Sequence, residues 1–434
     1  MAGIFHSVKL NREKCKGCTT CLGCPTEAIR VRNGKAAIVP ERCIDCGLCI
    51  RVCPYHAKEA QSDSLDDFKR FDFRVALPAP ALYGQFNPKI TVDKILAGLI
   101  KLGFDDVFEV ASAAEIAAVE TRRVMAEKKD SFPLISSSCP AIVRLIQLRF
   151  PGLLDQVLRV ESPMEIAARI VRQEIYPGKK NLGIFFISPC PAKITAVKNP
   201  LNKPRSEVDG IIPIKDIYLP LLASLSEVDV PEKKQASSFL GISWAVSQGE
   251  GDNVGGFNIA AVDGILNAAK MFEEMENRRL RNVDFIEAMA CPGGCVGGPL
   301  TVENPYIAKA RIRNKALELS SVMEGAPQPF LTKVNTRWLN EDLKPRPIQK
   351  LDDNFQRAIE MMDQMEKLAT GLPGLDCGAC GAPSCRALAE DIVRGTARKN
   401  DCIFVLREEI RSLSINLAEL GAWVPQSMKR DNEE

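Results

Sequence analysis

Short apolar runs alternate with helix-like periodicity through the middle of this chain, from about residue 63 to 345. Runs rich in β-branched and aromatic residues that end in a proline-containing loop are typical of strands. The predicted strands cover residues 73–77, 133–135, 182–187 and 283–289, and predicted helices cover 113–121 and 141–146. Strands that alternate with helices indicate an α/β fold.

Cysteine-rich segments flank this central region. Residues 1–62 hold two tight cysteine groups separated by a strand-like spacer, and residues 346–424 are mainly helical. We therefore predict three modules: an α+β module over 1–62, a two-lobed α/β domain over 63–345, and a small helical module over 346–424. Residues 425–434 are predicted to form a disordered tail.

The last predicted helix carries an apolar stripe. From Ile403 onward, apolar side chains recur at steps of three and four residues, at Leu406, Ile410, Leu413, Leu417 and Leu420. Most such stripes pack on their own domain, which is the prediction here. The spacing is also that of a short coiled coil, so a homodimer contact is the alternative.

The composition argues against several classes of protein. The chain has 434 residues, of which 46% are hydrophobic and 26% charged, as expected for two or three folded domains. Its 57 basic residues nearly balance its 55 acidic ones, so neither nucleic acid nor an anionic membrane surface is an expected partner. No apolar run approaches the roughly 18 residues that span a bilayer, and the first residues do not resemble a secretory signal. These observations predict a cytoplasmic protein without a membrane span.

Cysteine dominates the candidate chemistry. All 16 cysteines fall into four groups of four, and only two histidines, His6 and His56, are present, which argues against a histidine-rich zinc hydrolase. In a reducing cytoplasm, closely spaced cysteines bind metal more often than they form disulfides. A cubane [4Fe–4S] cluster takes four thiolates, so the count predicts four such clusters.

The first 62 residues contain an internal cysteine repeat. Its second half has the spacing C-x2-C-x2-C-x3-C-P of bacterial ferredoxins, in which the fourth thiolate crosses to the other cluster. We therefore predict a ferredoxin-like module with one cluster on Cys15, Cys18, Cys21 and Cys53, and a second on Cys43, Cys46, Cys49 and Cys24. The first half is one residue shorter than the second between its last two cysteines. A pair of zinc knuckles is the alternative.

A carboxyl-terminal group has the spacing C-x2-C-x4-C-x16-C, formed by Cys377, Cys380, Cys385 and Cys402. A helix predicted between the last two cysteines brings Cys402 back beside the other three. The motif resembles the small helical cluster module of corrinoid iron–sulfur proteins and electron-transport complexes, which implies a [4Fe–4S] cluster. A zinc site is the alternative.

The remaining four cysteines follow three of the predicted strands: Cys139, Cys190, and the pair Cys291 and Cys295. Ligands of open α/β sheets gather at the carboxyl ends of strands, where helices that begin there point amide donors at anions. A single Cys-Pro dipeptide on a loop is usually just a buried small residue. Four cysteines at equivalent strand ends, beside twelve that are already grouped, predict a fourth cubane instead.

These three loops are similar to the signature loops of the [FeFe]-hydrogenase family. The family motifs are approximately T-S-C-C-P, M-P-C-x-x-K-x-x-E and E-x-M-A-C-P-x-G-C-x-x-G-G, and their counterparts are residues 137–140, 188–193 and 287–298. With the ferredoxin-like repeat in front, the resemblance covers about residues 10 to 345. It implies that Cys139, Cys190, Cys291 and Cys295 hold the cubane of an H-cluster.

The resemblance also implies the remainder of the site. Cys295 would bridge to a diiron subcluster that carries carbonyl, cyanide and a dithiolate bridge. Lys193 would donate a charge-assisted hydrogen bond to one cyanide. Pro80 and Ala81 would line the other cyanide, and Met289 would pack against the diiron unit.

Several positions depart from the family pattern. Ser138 stands where productive members keep a proton-carrying cysteine, and a hydroxyl is a much weaker acid than a thiol. Ser188 and Ala196 replace the leading methionine and the closing glutamate of the second motif. Glu120 remains on the helix that carries the proton path in relatives, although a solvated acid on a helix face is the alternative interpretation. We therefore expect slow proton delivery.

The combination is most similar to the atypical branch of [FeFe]-hydrogenases to which a sensory role is assigned. It implies an oxidoreductase that reversibly splits or senses H2 at low turnover, with electrons relayed through the accessory clusters. The implied partners are H2, protons, a ferredoxin or another redox protein, and hydrogenase maturation proteins. Some members append a PAS domain, for which this chain has no room, so a separate signalling protein is expected. The alternative is an electron-transfer or assembly protein with only a cubane at the central site.

Overall fold

The computed structural model describes residues 5–131, 133–228, 235–322, 332–340, 342–346, 350–423 and 425–428. By their internal contacts, the residues form two compact units. The first unit comprises Met1–Lys14 and Pro40–Ile348, and the second comprises Cys15–Val39 and Gln349–Glu434. The boundaries of the three predicted modules stay a prediction, and residues 429–434 of the predicted tail lie outside the described residues.

Strands and helices are distributed along the whole described chain. The strands are β1 (Val8–Leu10), β2 (Ile29–Arg32), β3 (Lys35–Ile38), β4 (Lys58–Ala60), β5 (Phe73–Pro78), β6 (Asp106–Val107), β7 (Leu134–Ile135), β8 (Leu182–Ser188), β9 (Gly210–Pro213), β10 (Ile259–Asp263) and β11 (Phe285–Met289). The α-helices are α1 (Leu48–Arg51), α2 (Val92–Lys101), α3 (Val110–Glu127), α4 (Pro140–Arg149), α5 (Pro163–Ile170), α6 (Pro191–Lys198), α7 (Ile214–Leu225), α8 (Phe239–Ser243), α9 (Gly249–Val254), α10 (Ile265–Glu276), α11 (Pro305–Val322), α12 (Phe355–Thr370), α13 (Cys385–Val393) and α14 (Ile403–Ala422).

The first sheet has the strand order β6-β5-β8-β9, and every neighbouring pair is parallel. All seven residues of β8 are buried. A continuous apolar run is expected of a central parallel strand that is covered on both faces. Val75, Ile184 and Phe185 belong to the large hydrophobic core around this sheet.

The second sheet of the first unit has the order β10-β11-β7, again parallel throughout. It has a core of its own, which includes Ile135, Phe272 and Ile286. Leu134 and Phe285 of the same strands pack in the first core, so the second sheet contributes to both cores. The two parallel sheets correspond to the two lobes predicted for the central region. The mixed α/β, multidomain fold class is therefore confirmed.

Two antiparallel strand pairs come from the first 62 residues. β1 pairs with β4 in the first unit, and β2 pairs with β3 in the second. The β2–β3 hairpin turns at Asn33 and Gly34, whose φ values of 52° and 69° are both positive. An Asn-Gly pair adopts this left-handed geometry readily and matches the twist of the two strands.

Most of the predicted helices are present. The helices predicted at 113–121 and 141–146 lie within α3 and α4, and the one predicted between Cys385 and Cys402 is α13. Among the helices that the structure describes, none combines the length and the apolarity needed to cross a bilayer.

The apolar stripe on α14 is exposed, so the prediction that it packs on its own domain is wrong. Its exposed fractions rise from 41% at Leu406 to 71% at Leu420, and no residue of α14 is buried against the described chain. Val405, in the first turn, still packs on the small core around Cys402. A helix of 20 residues is about 30 Å long, so it extends beyond the small module on which it begins.

Replacement of a buried phenylalanine should test the first core. The ring of Phe185 is fully buried, and its centroid lies 4.8 Å from that of Phe68 and 5.5 Å from that of Phe71. We expect Phe185→Ala to lower the free energy of unfolding by about 3–5 kcal/mol, because it removes buried area and leaves a cavity. Phe355, which is 80% exposed, provides the matched control. Urea titration should detect the first loss and no comparable loss for Phe355→Ala; equal effects would contradict the described core.

Candidate metal centre

Four thiols that follow strands of two different sheets line one cavity in the first unit. Cys139 follows β7 and caps α4, and Cys190 follows β8 and caps α6. Cys291 and Cys295 follow β11, and Cys295 begins a 3-10 turn. All four contribute to the wall of a cavity with about 840 Å³ of empty space, part of which opens to solvent. The structure thus brings together the four cysteines predicted to hold the central cubane.

Helix starts place two of these thiols. Pro140 and Pro191 occupy the first positions of α4 and α6, where a missing N–H costs no helical hydrogen bond. The backbone N–H groups of Ala192 and Lys193, in the first turn of α6, lower the pKa of Cys190. The amino-terminal end of a helix therefore faces this sulfur with partial positive charge, which favours a thiolate.

Two glycines of the third signature loop permit close packing around the cavity. Gly294 has a φ of 99°, and a Cβ there would lie 2.6 Å from the backbone nitrogen of Ser247. At Gly298, a Cβ would overlap the carbonyl oxygen of Pro189, in the loop that carries Cys190. A side chain at either position would force the loops apart, so the glycines of the motif have a steric role.

Burial opposes ionisation of the central thiols. It raises the pKa of Cys190 to about 11, that of Cys295 to about 12, and that of Cys291 well above its ordinary value. Neighbouring thiolates of the group add to each shift, whereas Lys193 lowers the pKa of Cys190 and of Cys295. Four thiolates in one buried cavity need more positive charge than one lysine supplies. Iron ions supply that charge, so the donor set fits an iron–sulfur cluster.

The cavity wall also contains five other predicted site residues: Pro80, Ala81, Ser138, Lys193 and Met289. Pro80 and Ala81 begin a buried 3-10 turn after β5, and Met289 ends β11. The Lys193 ammonium donates to the carbonyl oxygen of Ser138 at 3.0 Å. The side chain of Lys193 is thereby held at the cavity wall.

Glu120 is not among the residues that line this cavity. It lies on α3, is 9% exposed, and accepts a hydrogen bond from the guanidinium of Arg337. Arg337 also pairs with Glu127, which lies about two helical turns further along α3. The alternative interpretation, in which Glu120 is a solvated acid on a helix face, is wrong because its carboxylate is buried and paired with Arg337.

The two substitutions in the second signature loop have different surroundings. The Ser188 hydroxyl accepts a hydrogen bond from the Cys190 N–H at 3.1 Å and thus stabilises the loop. Ala196 lines a neighbouring cavity with about 460 Å³ of empty space. That cavity also includes the buried ion pair of Lys203 with Glu161, whose charged atoms are 2.9 Å apart.

Glu250 lines the central cavity and was not singled out from the sequence. The Ser138 hydroxyl donates to its carboxylate at 3.0 Å, and the Ser136 hydroxyl donates to the same group at 2.7–2.8 Å. Burial raises the pKa of Glu250 above its ordinary value. Burial also raises the pKa of Glu287, and the negative charge of Glu250 raises it further. The Glu250 carboxyl group therefore lies beside the hydroxyl of Ser138, the residue that stands where productive family members have a proton-carrying cysteine.

The sequence carries only a weak signal for Glu250. It lies between Gly249 and Gly251, at positions where a Cβ would collide with Ser243 and Ile259 respectively. Such glycines indicate close packing rather than chemistry. The acid is also 112 residues from Ser138, a separation that no local motif bridges.

The second half of the ferredoxin-like repeat lies in the first unit, with Cys43, Cys46, Cys49 and Cys53. At Gly47, a Cβ would lie 2.6 Å from Pro299 and 2.7 Å from Pro191. The guanidinium of Arg51 donates to the carbonyl oxygen of Gly297. This cysteine loop therefore packs directly against two of the loops that carry central cysteines.

The second unit contains two further cysteine groups. Its carboxyl-terminal group, Cys377, Cys380, Cys385 and Cys402, lines one cavity with about 330 Å³ of empty space. The structure therefore brings these four together as predicted from their spacing. Cys15, Cys18, Cys21 and Cys24 lie in the same unit. The predicted exchange of Cys24 and Cys53 between the two ferredoxin-like clusters stays a prediction.

Three iron–sulfur sequence profiles match this chain. A 4Fe-4S dicluster domain matches residues 7–54, and a putative Fe-S cluster motif matches residues 372–404. The carboxyl-terminal domain of the iron-only hydrogenase large subunit matches residues 73–238 and 223–299.

Several known proteins are similar to parts of the chain. Iron hydrogenase 1 of Clostridium pasteurianum is 26% identical over 52% of this chain and 50% of its own length, so the chain spans half of that relative. The periplasmic [Fe] hydrogenase large subunit of Nitratidesulfovibrio vulgaris is 27% identical over 68% of this chain and 86% of its own length. A probable cytosolic Fe-S cluster assembly factor of Drosophila melanogaster is 20% identical over 76% of this chain and 80% of its own length.

Among solved structures, a variant [FeFe]-hydrogenase from Chlamydomonas reinhardtii is 17% identical and has a TM-score of 0.46, covering 64% of this chain and 97% of that one. The match to the iron-only hydrogenase profile spans residues 73–299, which is more than half of the 434 residues. The chain therefore belongs to the iron-only, or [FeFe], hydrogenase large-subunit family.

Proposed function

We propose that this protein is an iron–sulfur oxidoreductase that binds and reversibly splits H2 at an H-cluster in the central cavity. Its turnover is low and suits a sensory or regulatory role. One observation carries the proposal: the four central thiols share a cavity wall with Pro80, Ala81, Lys193 and Met289. A cubane alone has no need for these additional residues.

In this proposal Cys139, Cys190, Cys291 and Cys295 would hold the cubane, and Cys295 would also be a ligand of the diiron group. The diiron group, with its carbonyl, cyanide and dithiolate ligands, supplies the binding and cleavage of H2. Lys193 keeps further N–H donors beyond the one that it gives to Ser138, and these are free to bind an anionic cofactor ligand. The apolar side chain of Met289 excludes water from the same wall.

Protons reach the cavity through Ser138 and Glu250 in the proposed mechanism. The hydroxyl of Ser138 exchanges protons poorly on its own. Its hydrogen bond to the Glu250 carboxylate gives it a neighbour that exchanges them readily. Because burial raises the pKa of Glu250 toward neutrality, this carboxyl group is suited to both accept and donate a proton. The path has no thiol, which accounts for slow turnover.

Electrons pass between the central cubane and a ferredoxin-like cluster on the loop of Cys43, Cys46 and Cys49. The support is the packing of Gly47 against Pro191 and Pro299, because electron tunnelling is fast only between closely spaced sites. With the carboxyl-terminal group, the full proposal comprises four [4Fe–4S] clusters and one diiron subcluster. A ferredoxin or another redox protein exchanges electrons with these clusters in the cytoplasm. Maturation proteins insert the diiron group. A separate signalling protein responds to the binding of H2.

An iron–sulfur electron-transfer or assembly protein with only a cubane in the cavity is the second candidate. The Drosophila relative is named as an assembly factor. Ser138 and Ala196 are compatible with this function, because both lack the groups that productive hydrogenases use. The presence of Lys193 and Met289 at the wall of the central cavity favours the diiron group.

Infrared spectroscopy distinguishes the two candidates. We expect protein matured with the diiron cofactor to show carbonyl and cyanide bands that change when H2 is admitted. Iron analysis should give about eighteen irons per chain rather than about sixteen, because four cubanes alone account for the smaller number. A protein with a full set of cubanes but without carbonyl and cyanide bands would support the electron-transfer or assembly function instead.

Variants at Ser138 and Glu250 test the proton path. Glu250→Gln keeps the shape of the side chain but replaces one carboxylate oxygen by an amide donor and removes the acid–base function. We therefore expect H2 turnover to fall by about 100-fold. Ser138→Ala should lower turnover as well, and Ser138→Cys should raise it. Infrared bands of each variant report whether the cofactor is retained.

Glu120→Gln is the matched control, since relatives carry their proton path on that helix. Turnover should change little, because Glu120 does not line the cavity and its carboxylate pairs with Arg337. A large loss in Glu120→Gln with no loss in Glu250→Gln would reverse the assignment.

A further inference from the structure

The β2–β3 hairpin of the second unit lies between two groups of predicted cluster ligands. Val31 and Ala36 are directly opposite each other, one pair further from the turn than Arg32 and Lys35. In a hairpin with a two-residue turn, the pair beside the turn exchanges both hydrogen bonds and the next pair exchanges none. Val31 and Ala36 therefore direct their N–H groups away from each other, toward the two outer edges of the hairpin.

Each of these outward N–H groups meets a different cysteine segment. The Val31 N–H donates to the carbonyl oxygen of Gly381, in the carboxyl-terminal cysteine loop, at 2.8 Å. The Ala36 N–H donates to the sulfur of Cys15 at 3.4 Å. A hydrogen bond from an amide to a cluster-ligating sulfur is a common means of stabilising the reduced, more negative cluster. The hairpin thus joins the two cysteine groups through one pair of residues.

The carboxyl-terminal side of this junction is held by buried charge. The single Nε–H of Arg30 is shared between the two carboxylate oxygens of Asp391 on α13, at 2.8 and 2.9 Å, and Arg32 donates to the same carboxylate at 2.7 Å. Arg32 also donates to the carbonyl oxygen of Cys380 at 2.7 Å. Arg30 and Asp391 are 9% and 7% exposed, and a buried, fully bonded charge network of this kind fixes geometry.

On the amino-terminal side, the loop of Cys15 is in direct contact with the hairpin. The Lys35 ammonium donates to the carbonyl oxygen of Cys15 at 2.7 Å. A Cβ at Gly17 would lie 2.5 Å from the carbonyl oxygen of Gly34, so the Cys15 loop packs on the hairpin turn. A Cβ at Gly381 would overlap the carbonyl oxygen of Val31. Glycine is thus needed at both ends of the contact.

Opposite residues of such a pair have Cα atoms about 4.5 Å apart. Together with the hydrogen bonds at 2.8 and 3.4 Å, this spacing puts the Gly381 oxygen and the Cys15 sulfur at most roughly 14 Å apart. Covalent and hydrogen-bonded atoms therefore form a continuous path between the Cys15 sulfur and the loop that carries Cys380.

We propose that the β2–β3 hairpin is an electron-transfer junction that connects the carboxyl-terminal iron–sulfur cluster to the cluster of Cys15, with Arg32 and Gly381 as positioning residues. This inference rests on the accessory clusters of the proposed function. One electron leaves the reduced carboxyl-terminal cubane and reduces the oxidised cubane at Cys15, and no bond or proton moves. A one-electron carrier of the ferredoxin class reduces the outer cubane in turn.

The test is electron paramagnetic resonance of the dithionite-reduced, fully loaded protein. Two reduced cubanes that lie close together broaden each other's signals through magnetic coupling. We expect the wild-type spectrum to contain coupling that is lost in Cys402→Ser, which lacks a ligand of the outer cluster. Gly381→Ala should keep the iron content but weaken the same coupling, because the added methyl group pushes Gly381 away from Val31.

Gly395→Ala is the matched control for backbone strain. Gly395 and Gly381 have φ values of 73° and 79°, but a Cβ at Gly395 meets nothing within 4 Å. The magnetic coupling in Gly395→Ala should equal that of the wild type. If Gly381→Ala loses iron, Arg32→Gln serves as the test variant instead. Arg32→Gln removes the contacts of Arg32 to Cys380 and Asp391 without adding bulk.

Two outcomes would overturn the inference. In the first, the wild-type spectrum is the sum of the Cys402→Ser spectrum and the spectrum of one uncoupled cubane. In the second, Gly381→Ala and Arg32→Gln both keep the full wild-type coupling. Neither outcome involves the central cavity. Absence of carbonyl and cyanide bands would count against H2 chemistry and leave the junction intact. Absence of coupling would count against the junction and leave H2 chemistry intact.

Discussion

Four thiolates confined to one buried cavity repel one another and lose their hydration, and the first unit is organised around that cost. Strands of two sheets end at the same cavity, and α4 and α6 begin there with cysteine caps. Amide groups at a helix start and the Lys193 ammonium offset part of the negative charge. Bound iron would offset the remainder, so under the proposed function the fold of this region and its metal content depend on each other.

Local patterns in the sequence predicted the parts of the structure that local physics decides. β5, β7, β8 and β11 lie at the predicted apolar runs, because a buried parallel strand needs a continuous apolar segment. Signature spacing also identified the thiols and Lys193, since each loop places its ligands within a few residues of a strand end. These features need no knowledge of the rest of the chain.

Features that depend on distant partners could not be predicted in the same way. Glu120 pairs with Arg337, 217 residues away, and Glu250 meets Ser138 across 112 residues. The function of either acid follows from its partner rather than from its own neighbours in sequence. The prediction that the apolar stripe of α14 packs on its own domain was wrong for a related reason. Periodicity shows that one helix face is apolar but not whether another segment covers that face.

The second unit is discontinuous in sequence, and this has a consequence for its assembly. Roughly 300 residues separate Val39 from Gln349, and at ribosomal speeds of about 5–20 residues per second their synthesis takes about 15–60 s. Throughout that interval, the segment of Cys15 exists without the part of the chain that later pairs with Val31 and Arg30. Its thiols are therefore the first to be made and among the last to be enclosed, so they are the ones that a cell must protect from oxidation for longest during synthesis.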